Sequence, residues 1–221
     1  MRRNASTVVV LASPAPGEVL AAIGRSMNVA LIRPADSARS AEPGNARDPG
    51  GKGHGNGNGG GLDAAAAALK RAGQASSPYA LVPADPLAAV AASWRAMWDV
   101  TRSQGPAEFE QEAARALTAW RAGAFELPDY YLVLGSGTAG ADGNGDGGPD
   151  FYLGPLRAAR PHRVALVAAT EPAEQAAGVL TALGSLRHGP WWPGLDQLIE
   201  TARTFYPDSL AGGNAAAPAS G

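Results

Sequence analysis

Asp85 and Glu171 stand where carboxyl chemistry is possible, since each follows a short apolar run and precedes a helical pattern. Two paired carboxylates can divide the roles of general acid and general base, or can hold a metal ion together. Each residue also has a simpler structural role. Asp85 precedes Pro86 as a helix N-cap would, and Glu171 suits the positive end of a helix dipole. The structural roles are favoured, and the catalytic pair stays open as an alternative.

Further polar residues occupy equivalent positions after apolar runs. If those runs are parallel strands, their carboxyl ends meet at one edge of the sheet, where open α/β sheets bind ligands. Thr170 at that edge is also predicted to be an N-cap, because Glu171 and Pro172 follow it as the start of a helix. The predicted ligand-binding residues are Ser13, Arg33, Asp85, Ser136, Thr170 and Glu171.

Two glycine-rich patterns resemble cofactor and cation loops. Residues 135–140 spell G-x-G-x-x-G after an apolar run, a pattern that lets backbone approach a dinucleotide pyrophosphate, but no helical pattern follows. Residues 142–147 match the first half of a calcium loop, yet its twelfth position is Leu153 instead of a bidentate Glu. A glycine-rich linker produces both patterns, so we predict no metal site and leave the cofactor unknown.

The sequence lacks the residues that several enzyme classes require. The chain has no Cys, which excludes disulfides, thiol nucleophiles and cysteine-bound metal centres. It contains neither a P-loop nor a G-x-S-x-G elbow. His54, His162 and His188 do not lie where a predicted strand runs into a helix. A Ser–His–Asp hydrolase and a histidine-built zinc site are therefore disfavoured.

Charge and hydropathy limit the possible partners. Lys and Arg number 18 against 20 Asp and Glu, so the chain has no global basic field and we predict no nucleic-acid partner. No stretch approaches the roughly 20 apolar residues that span a bilayer, so we predict no membrane partner. The segment 1–15 imitates a signal peptide, but its β-branched run favours a buried strand, and we expect a cytoplasmic protein.

Trp191 and Trp192 lie between two prolines in a rigid aromatic loop. Such loops often anchor protein partners, which makes both residues candidates for partner binding. The pair can equally fill a gap between the last helices, and this packing role is favoured. The basic cluster over 157–163 is predicted to be a solvated charged face.

Five apolar runs alternate with helical patterns along the chain. The predicted strands are 7–11, 28–32, 79–82, 130–134 and 163–168. The predicted helices cover 17–27, 62–73, 107–122, 151–159 and 195–205, with two more beginning at Pro86 and Pro172. This alternation predicts a three-layer α/β fold of Rossmann-like type: a mostly parallel five-stranded sheet with helices on both faces. The strand order stays open.

The predicted domain covers residues 1–210 with two insertions. Segments 36–61 and 136–150 and the tail 211–221 are too rich in Gly, Pro, Asn, Asp and Ser to bury a core, so we predict that they are disordered.

With no catalytic constellation in view, we expect a non-catalytic module that binds a small molecule or a protein partner, of unknown oligomeric state. The alternative is an enzyme that acts on a small phosphorylated or nucleotide-like metabolite at the carboxyl ends of the strands. A third possibility is a degenerate enzyme fold kept as a scaffold. If Asp85 and Glu171 share one pocket at about 5 to 9 Å, a spacing that two-carboxylate enzymes use, the enzyme gains support.

Overall fold

A computed structural model describes residues 6–34, 59–98, 105–135 and 150–205. The strands are β1 (Thr7–Leu11), β2 (Val29–Leu31), β3 (Tyr79–Val82), β4 (Tyr130–Leu134) and β5 (Val164–Val167). The α-helices are α1 (Gly17–Ile23), α2 (Gly59–Ala72), α3 (Ala88–Ala96), α4 (Gly105–Arg121), α5 (Arg157–Ala159), α6 (Pro172–Gly184) and α7 (Leu195–Arg203). A π-helix (Tyr152–Leu156) leads directly into α5. The predicted insertions, apart from their last residues, and the tail 211–221 lie outside the described residues.

The strands form one parallel sheet in the order β2-β3-β1-β4-β5. β1 lies at its centre, with Val9 opposite Leu81 of β3 on one side and opposite Tyr130 of β4 on the other. Short apolar, β-branched runs fit these strands because helices cover both faces of the sheet. The predicted three-layer, Rossmann-like α/β fold is confirmed, and the structure supplies the strand order that the sequence left open.

The direction of each connection decides which face its helix covers. From β1 the chain moves toward the β2 edge, and α1 packs with α6 over one face around Val19, Ile23 and Val179. From β2, β3 and β4 it moves the opposite way, and α2, α3, α4 and the π-helix cover the other face, as expected for right-handed crossovers. α7, which follows α6, packs on this second face as well. The connection after β1 therefore covers one face of the sheet, and the connection after the neighbouring β3 covers the other. This arrangement creates a crevice at the carboxyl ends of the two strands, where such sheets bind ligands.

Most differences from the predicted elements lie at helix ends. The strands β2 and β5 are also shorter than predicted, and the predicted helix 151–159 is a π-helix followed by α5. α1 ends at Ile23 because the chain turns at Gly24 toward the edge strand, so Met27, the last residue of the predicted helix 17–27, lies outside α1 and is 96% exposed. Phe205, the last residue of the predicted helix 195–205, follows the end of α7 and is 37% exposed. α2 begins at Gly59, so the last three residues of the predicted insertion 36–61 are helical. Tertiary packing extends the helix by most of a turn beyond the apolar pattern.

The contact between α6 and β5 provides a test of the packing. A Cβ at Gly178 would lie 2.6 Å from Cγ1 of the buried Val167, whereas a Cβ at Gly184 would meet nothing within 4 Å. Gly178→Ala gains helix propensity inside α6, and Gly184→Ala, at the last residue of the helix, gains no more. A loss of stability at Gly178 relative to Gly184 therefore reports the steric clash. We expect Gly178→Ala to be less stable than Gly184→Ala by about 1–3 kcal/mol in urea unfolding. Equal stability of the two variants would contradict the close packing.

Candidate functional site

A groove of about 720 Å³ lies between α2, α3 and α4 beside the carboxyl end of β3. Its volume falls in the range of roughly 300–1,000 Å³ that is typical of small-molecule sites. One wall is a stripe of small residues on α3, formed by Ala89, Ala92, Ser93 and Ala96. Their spacing of three and four residues places them on one side of the helix. Small side chains at these positions leave open the space that larger ones would fill.

Asp85 lines this groove in the loop that leaves β3. Its Oδ1 accepts hydrogen bonds from the Leu87 backbone N–H at 3.0 Å and from the Tyr131 hydroxyl at 3.2 Å. Its Oδ2 accepts a short hydrogen bond from the Tyr152 hydroxyl. Because α3 begins only at Ala88, Asp85 caps the turn that precedes the helix and is not the predicted N-cap residue.

The two phenols reach Asp85 from different elements, with ring centroids 5.5 Å apart. Tyr131 belongs to β4, and Tyr152 begins the π-helix. Asp150 orients that helix start by accepting the backbone N–H groups of Tyr152 and Leu153 at 2.8 and 3.0 Å. Asp150 thus has a defined place in the fold, although it is the last residue of the predicted insertion 136–150.

Burial dominates the ionisation of this cluster. It raises the pKa of Asp85 from 3.8 to about 6, and the hydrogen bonds from Tyr152, Leu87 and Tyr131 offset only part of that effect. Burial, together with the nearby Asp85 charge, raises the pKa of both Tyr131 and Tyr152 well above the usual value for a phenol. The two phenols therefore remain protonated donors. Of the three side chains in this cluster, Asp85 is the one that titrates near neutral pH.

The rim of the groove on α4 is mainly acidic. Glu108 and Glu112 line it together with Arg115. The Arg115 guanidinium lies 3.2 Å from a Glu112 carboxylate oxygen, so its charge is already balanced within α4. Arg95 of α3 forms an ion pair with Asp150 at 3.2 Å instead of lining the groove. Among the described residues, the groove therefore carries more negative than positive charge.

Two of the predicted edge residues, Ser13 and Arg33, do not line this groove. The Ser13 hydroxyl accepts the Leu134 N–H at 3.1 Å and donates to the Leu134 carbonyl at 3.3 Å, which ties the loop after β1 to the end of β4. Arg33 is exposed, and its carbonyl accepts a hydrogen bond from Arg71. Ser136 lies outside the described residues.

Thr170 and Glu171 lie at the same sheet edge but in the other layer. Glu171, not Thr170, occupies the N-cap position of α6, and its side chain makes no capping hydrogen bond, so the predicted Thr170 cap is wrong. Glu171 is exposed and does not line the Asp85 groove. β1 and β4 separate β3 from β5, which places the two strands about 14 Å apart. The structure therefore does not bring Asp85 and Glu171 together in this groove.

Of the two indoles in the aromatic loop, Trp192 is packed in the core and Trp191 is partly exposed. Trp192 is 5% exposed and donates from Nε1 to the Pro128 carbonyl at 2.7 Å, as expected for the packing role. Trp191 is 39% exposed, and its ring lies 4.5 Å from the Arg163 guanidinium carbon. The loop thus has one buried anchor and one indole that solvent can reach.

Arg163 is buried, which corrects its predicted place on a solvated face. Its guanidinium donates to the carbonyls of Asp129 at 3.1 Å, Gly189 at 2.8 Å and Pro190 at 3.0 Å. It also lies 5.0 Å from the ring centroid of Tyr130. The sequence cluster concealed this role because the carbonyls that satisfy Arg163 come from distant loops.

No protein-family model, curated protein or solved structure matches this chain. Within the described ranges, no helix is long and apolar enough to cross a bilayer. The same ranges contain no group of three or more metal-ligating side chains suited to hold an ion. Fold and site together define a Rossmann-like α/β domain with an acidic groove at a strand end, and the functional argument rests on that groove.

Proposed function

We propose that this protein is a non-catalytic ligand-binding module and that its ligand occupies the Asp85 groove. The observation that carries the proposal is the environment of the Asp85 carboxyl: two protonated phenols and a backbone N–H hold it at the wall of a groove of about 720 Å³. A perturbed carboxyl in a cleft is a characteristic of functional sites. Fixed hydrogen bonds orient it before any ligand arrives, which reduces the entropic cost of binding.

The polar groups around Asp85 favour binding over catalysis. Tyr131 and Tyr152 are poor proton-transfer partners because their pKa values lie well above the usual range. The Ser93 hydroxyl donates within its own helix, to the carbonyls of Ala89 and Val90 at 2.9 and 3.0 Å. No described residue acts on it as a general base, so a serine nucleophile in this groove is not supported.

The preferred ligand is a small organic molecule with a hydrogen-bond donor, neutral or positively charged. A carboxylate has about four acceptor positions. Three of those on Asp85 are used, by Leu87, Tyr131 and Tyr152, which leaves one for a ligand. The surplus of negative charge from Asp85, Glu108 and Glu112 disfavours the phosphorylated metabolite of the alternative hypothesis.

An acid–base enzyme remains the second candidate because of one observation, the pKa of about 6 at Asp85. A general base with such a pKa is about nine-tenths ionised at pH 7 and well matched to proton transfer. The proposed module binds its ligand and returns it unchanged. Mass spectrometry of the bound small molecule after incubation distinguishes the two candidates.

Thermal unfolding against a panel of amines, alcohols, nucleosides, nucleotides, sugar phosphates and coenzymes tests the proposed site. A ligand at about 100 times its Kd adds about 2.7 kcal/mol, which raises Tm by roughly 5–10 °C. We expect such a shift from an uncharged or cationic member of the panel. Ala92→Trp, which fills the groove from α3, should abolish the shift, whereas Ala114→Trp on the exposed side of α4 should preserve it. A shift that survives Ala92→Trp, or no shift from any member, contradicts the proposal.

A further inference from the structure

β5 is one edge of the sheet, since it pairs with β4 on one side and with no strand among the described residues on the other. Edge strands usually avoid pairing with other chains through charged side chains or prolines. The opposite edge follows this rule, because the three-residue β2 is soon followed by Arg33 and Pro34. Residues 164–168 read V-A-L-V-A and contain neither feature. The outer edge of β5 is therefore suited to pairing with a further strand.

The backbone of β5 points alternately toward β4 and toward this open edge. The Tyr131 N–H donates to the Arg163 carbonyl at 2.8 Å, and the Gly135 N–H donates to the Val167 carbonyl at 2.9 Å. Because the direction reverses from one residue to the next, the N–H and carbonyl groups of Leu166 point outward. Leu166 thus offers one donor and one acceptor to a strand that joins the edge.

The Leu166 side chain is 46% exposed, although it lies within a strand. Val164 points to the same face of the sheet and is buried in the core beneath the helices of that face. The cover therefore ends before Leu166. Of the large hydrophobic side chains that are exposed in the described part of the chain, only that of Leu166 belongs to a strand. A strand added beside β5 would cover it.

We propose that two copies of this chain pair through β5, antiparallel to each other, so that their sheets join into one. A two-fold axis perpendicular to the sheet passes through the pair and places Leu166 opposite Leu166 of the other copy, with both side chains on the same face. Their N–H and carbonyl groups exchange two hydrogen bonds. In the same register Val164 lies opposite Ala168 of the other copy, so the paired side chains are all apolar.

Charges at the two ends of β5 favour the antiparallel direction. Arg160 lies before β5, and its guanidinium donates to the carbonyls of Trp191 and Ala159 at 2.6 and 2.7 Å, with no ion pair to a described carboxylate. Glu171 lies beyond the other end, is exposed, and makes neither a capping hydrogen bond nor an ion pair with a described cation. Antiparallel pairing brings Arg160 of each copy toward Glu171 of the other, whereas parallel pairing would bring like charges together.

Sedimentation equilibrium of the full chain over a range of concentrations tests the association. We expect a mass that rises with concentration toward twice the 22.3 kDa of one chain. Leu166→Lys should raise the dimer Kd at least about tenfold, because it places two ammonium groups opposite each other. Met27→Lys is the matched control, since it makes the same change of charge at a methionine that is 96% exposed, and it should dimerise as the unchanged protein does. Thermal unfolding checks that both variants are folded.

Single cysteine substitutions test the register, since the chain has no Cys of its own. In the proposed dimer the two Leu166 Cα atoms lie about 5.5 Å apart, within the range of roughly 4.4–6.8 Å that a disulfide bridges. Leu166→Cys should therefore form a disulfide-linked dimer under mild oxidation. The two Ala168 residues are offset by about 13 Å along the strands, so Ala168→Cys should stay unlinked.

Three results would each overturn the proposal: a monomer at every concentration, a dimer unaffected by Leu166→Lys, or equal cross-linking of Leu166→Cys and Ala168→Cys. A monomer would mean that another part of this chain or a different partner covers β5. None of residues 164–168 lines the Asp85 groove, so these outcomes are independent of the ligand-binding test.

Discussion

Asp85→Asn should flatten the pH dependence of the unfolding free energy by about 2.4 kcal/mol between pH 4 and pH 7. The pKa of Asp85 is about 6 in the folded protein against 3.8 for the ordinary group, and each unit corresponds to about 1.36 kcal/mol. The folded protein holds this proton more tightly than the unfolded chain. Protonation therefore stabilises the fold, with the contribution fully present below about pH 4 and lost as the pH rises through about 6.

Urea unfolding of the unchanged protein and of Asp85→Asn at unit steps from pH 4 to pH 8 measures this effect. Subtracting the unfolding free energy of Asp85→Asn from that of the unchanged protein at each pH removes the contributions of groups that titrate alike in both proteins. Asp63→Asn, which removes a carboxylate from an exposed position on α2, is the control for the change in net charge. If the unchanged protein gained stability over Asp85→Asn as the pH rose, the pKa shift would have the opposite sign.

Arg163→Ala should destabilise the protein by about 3–5 kcal/mol, since hydrogen bonds to a charged group contribute about 1.5–3 kcal/mol each and do not add fully. Three carbonyls, those of Asp129, Gly189 and Pro190, would lose their donor, and Trp191 would lose the group it packs against. The stability of Arg163→Lys should fall between that of the unchanged protein and that of Arg163→Ala, because an ammonium cannot reproduce the planar fork of a guanidinium.

Arg157→Ala is the matched control for Arg163→Ala because it removes the same side chain from an exposed position in the same sequence cluster. Its effect in urea unfolding at pH 7 should stay within about 0.5 kcal/mol. If Arg163→Ala cost no more than Arg157→Ala, the guanidinium would not be holding the loops together.

Local sequence patterns were sufficient to predict the strands and most of the helices. The run over 130–134 matches β4, because five consecutive apolar residues suit a strand that is covered on both faces. The ends of α1 and α7 differ because tertiary packing and the turn at Gly24 decide where each helix stops. Strand order depends on contacts between distant segments, which no local pattern encodes.

The candidate site could be predicted only in part for the same reason. Asp85 was found because it follows a strand and precedes a helix. Tyr131 and Tyr152 were missed because they lie 46 and 67 residues away from it and resemble ordinary core residues. A buried phenol does need a hydrogen-bond partner, which is the one signal that the sequence offered. The structure does not bring Asp85 and Glu171 into one groove, because two strands separate β3 from β5.

NMR of the protein with ¹³C-labelled alanine methyl groups tests the central claim most directly, since alanine lines the Asp85 groove. The ligand panel is added, and the methyl signals of Ala89, Ala92 and Ala96 are compared with those of Ala173 and Ala177, which lie on α6 in the opposite layer. We expect a ligand to shift the groove methyls alone, more strongly at pH 7 than at pH 5, where Asp85 is mostly protonated. Shifts confined to α6, or groove methyls that respond to no member of the panel, would contradict the account.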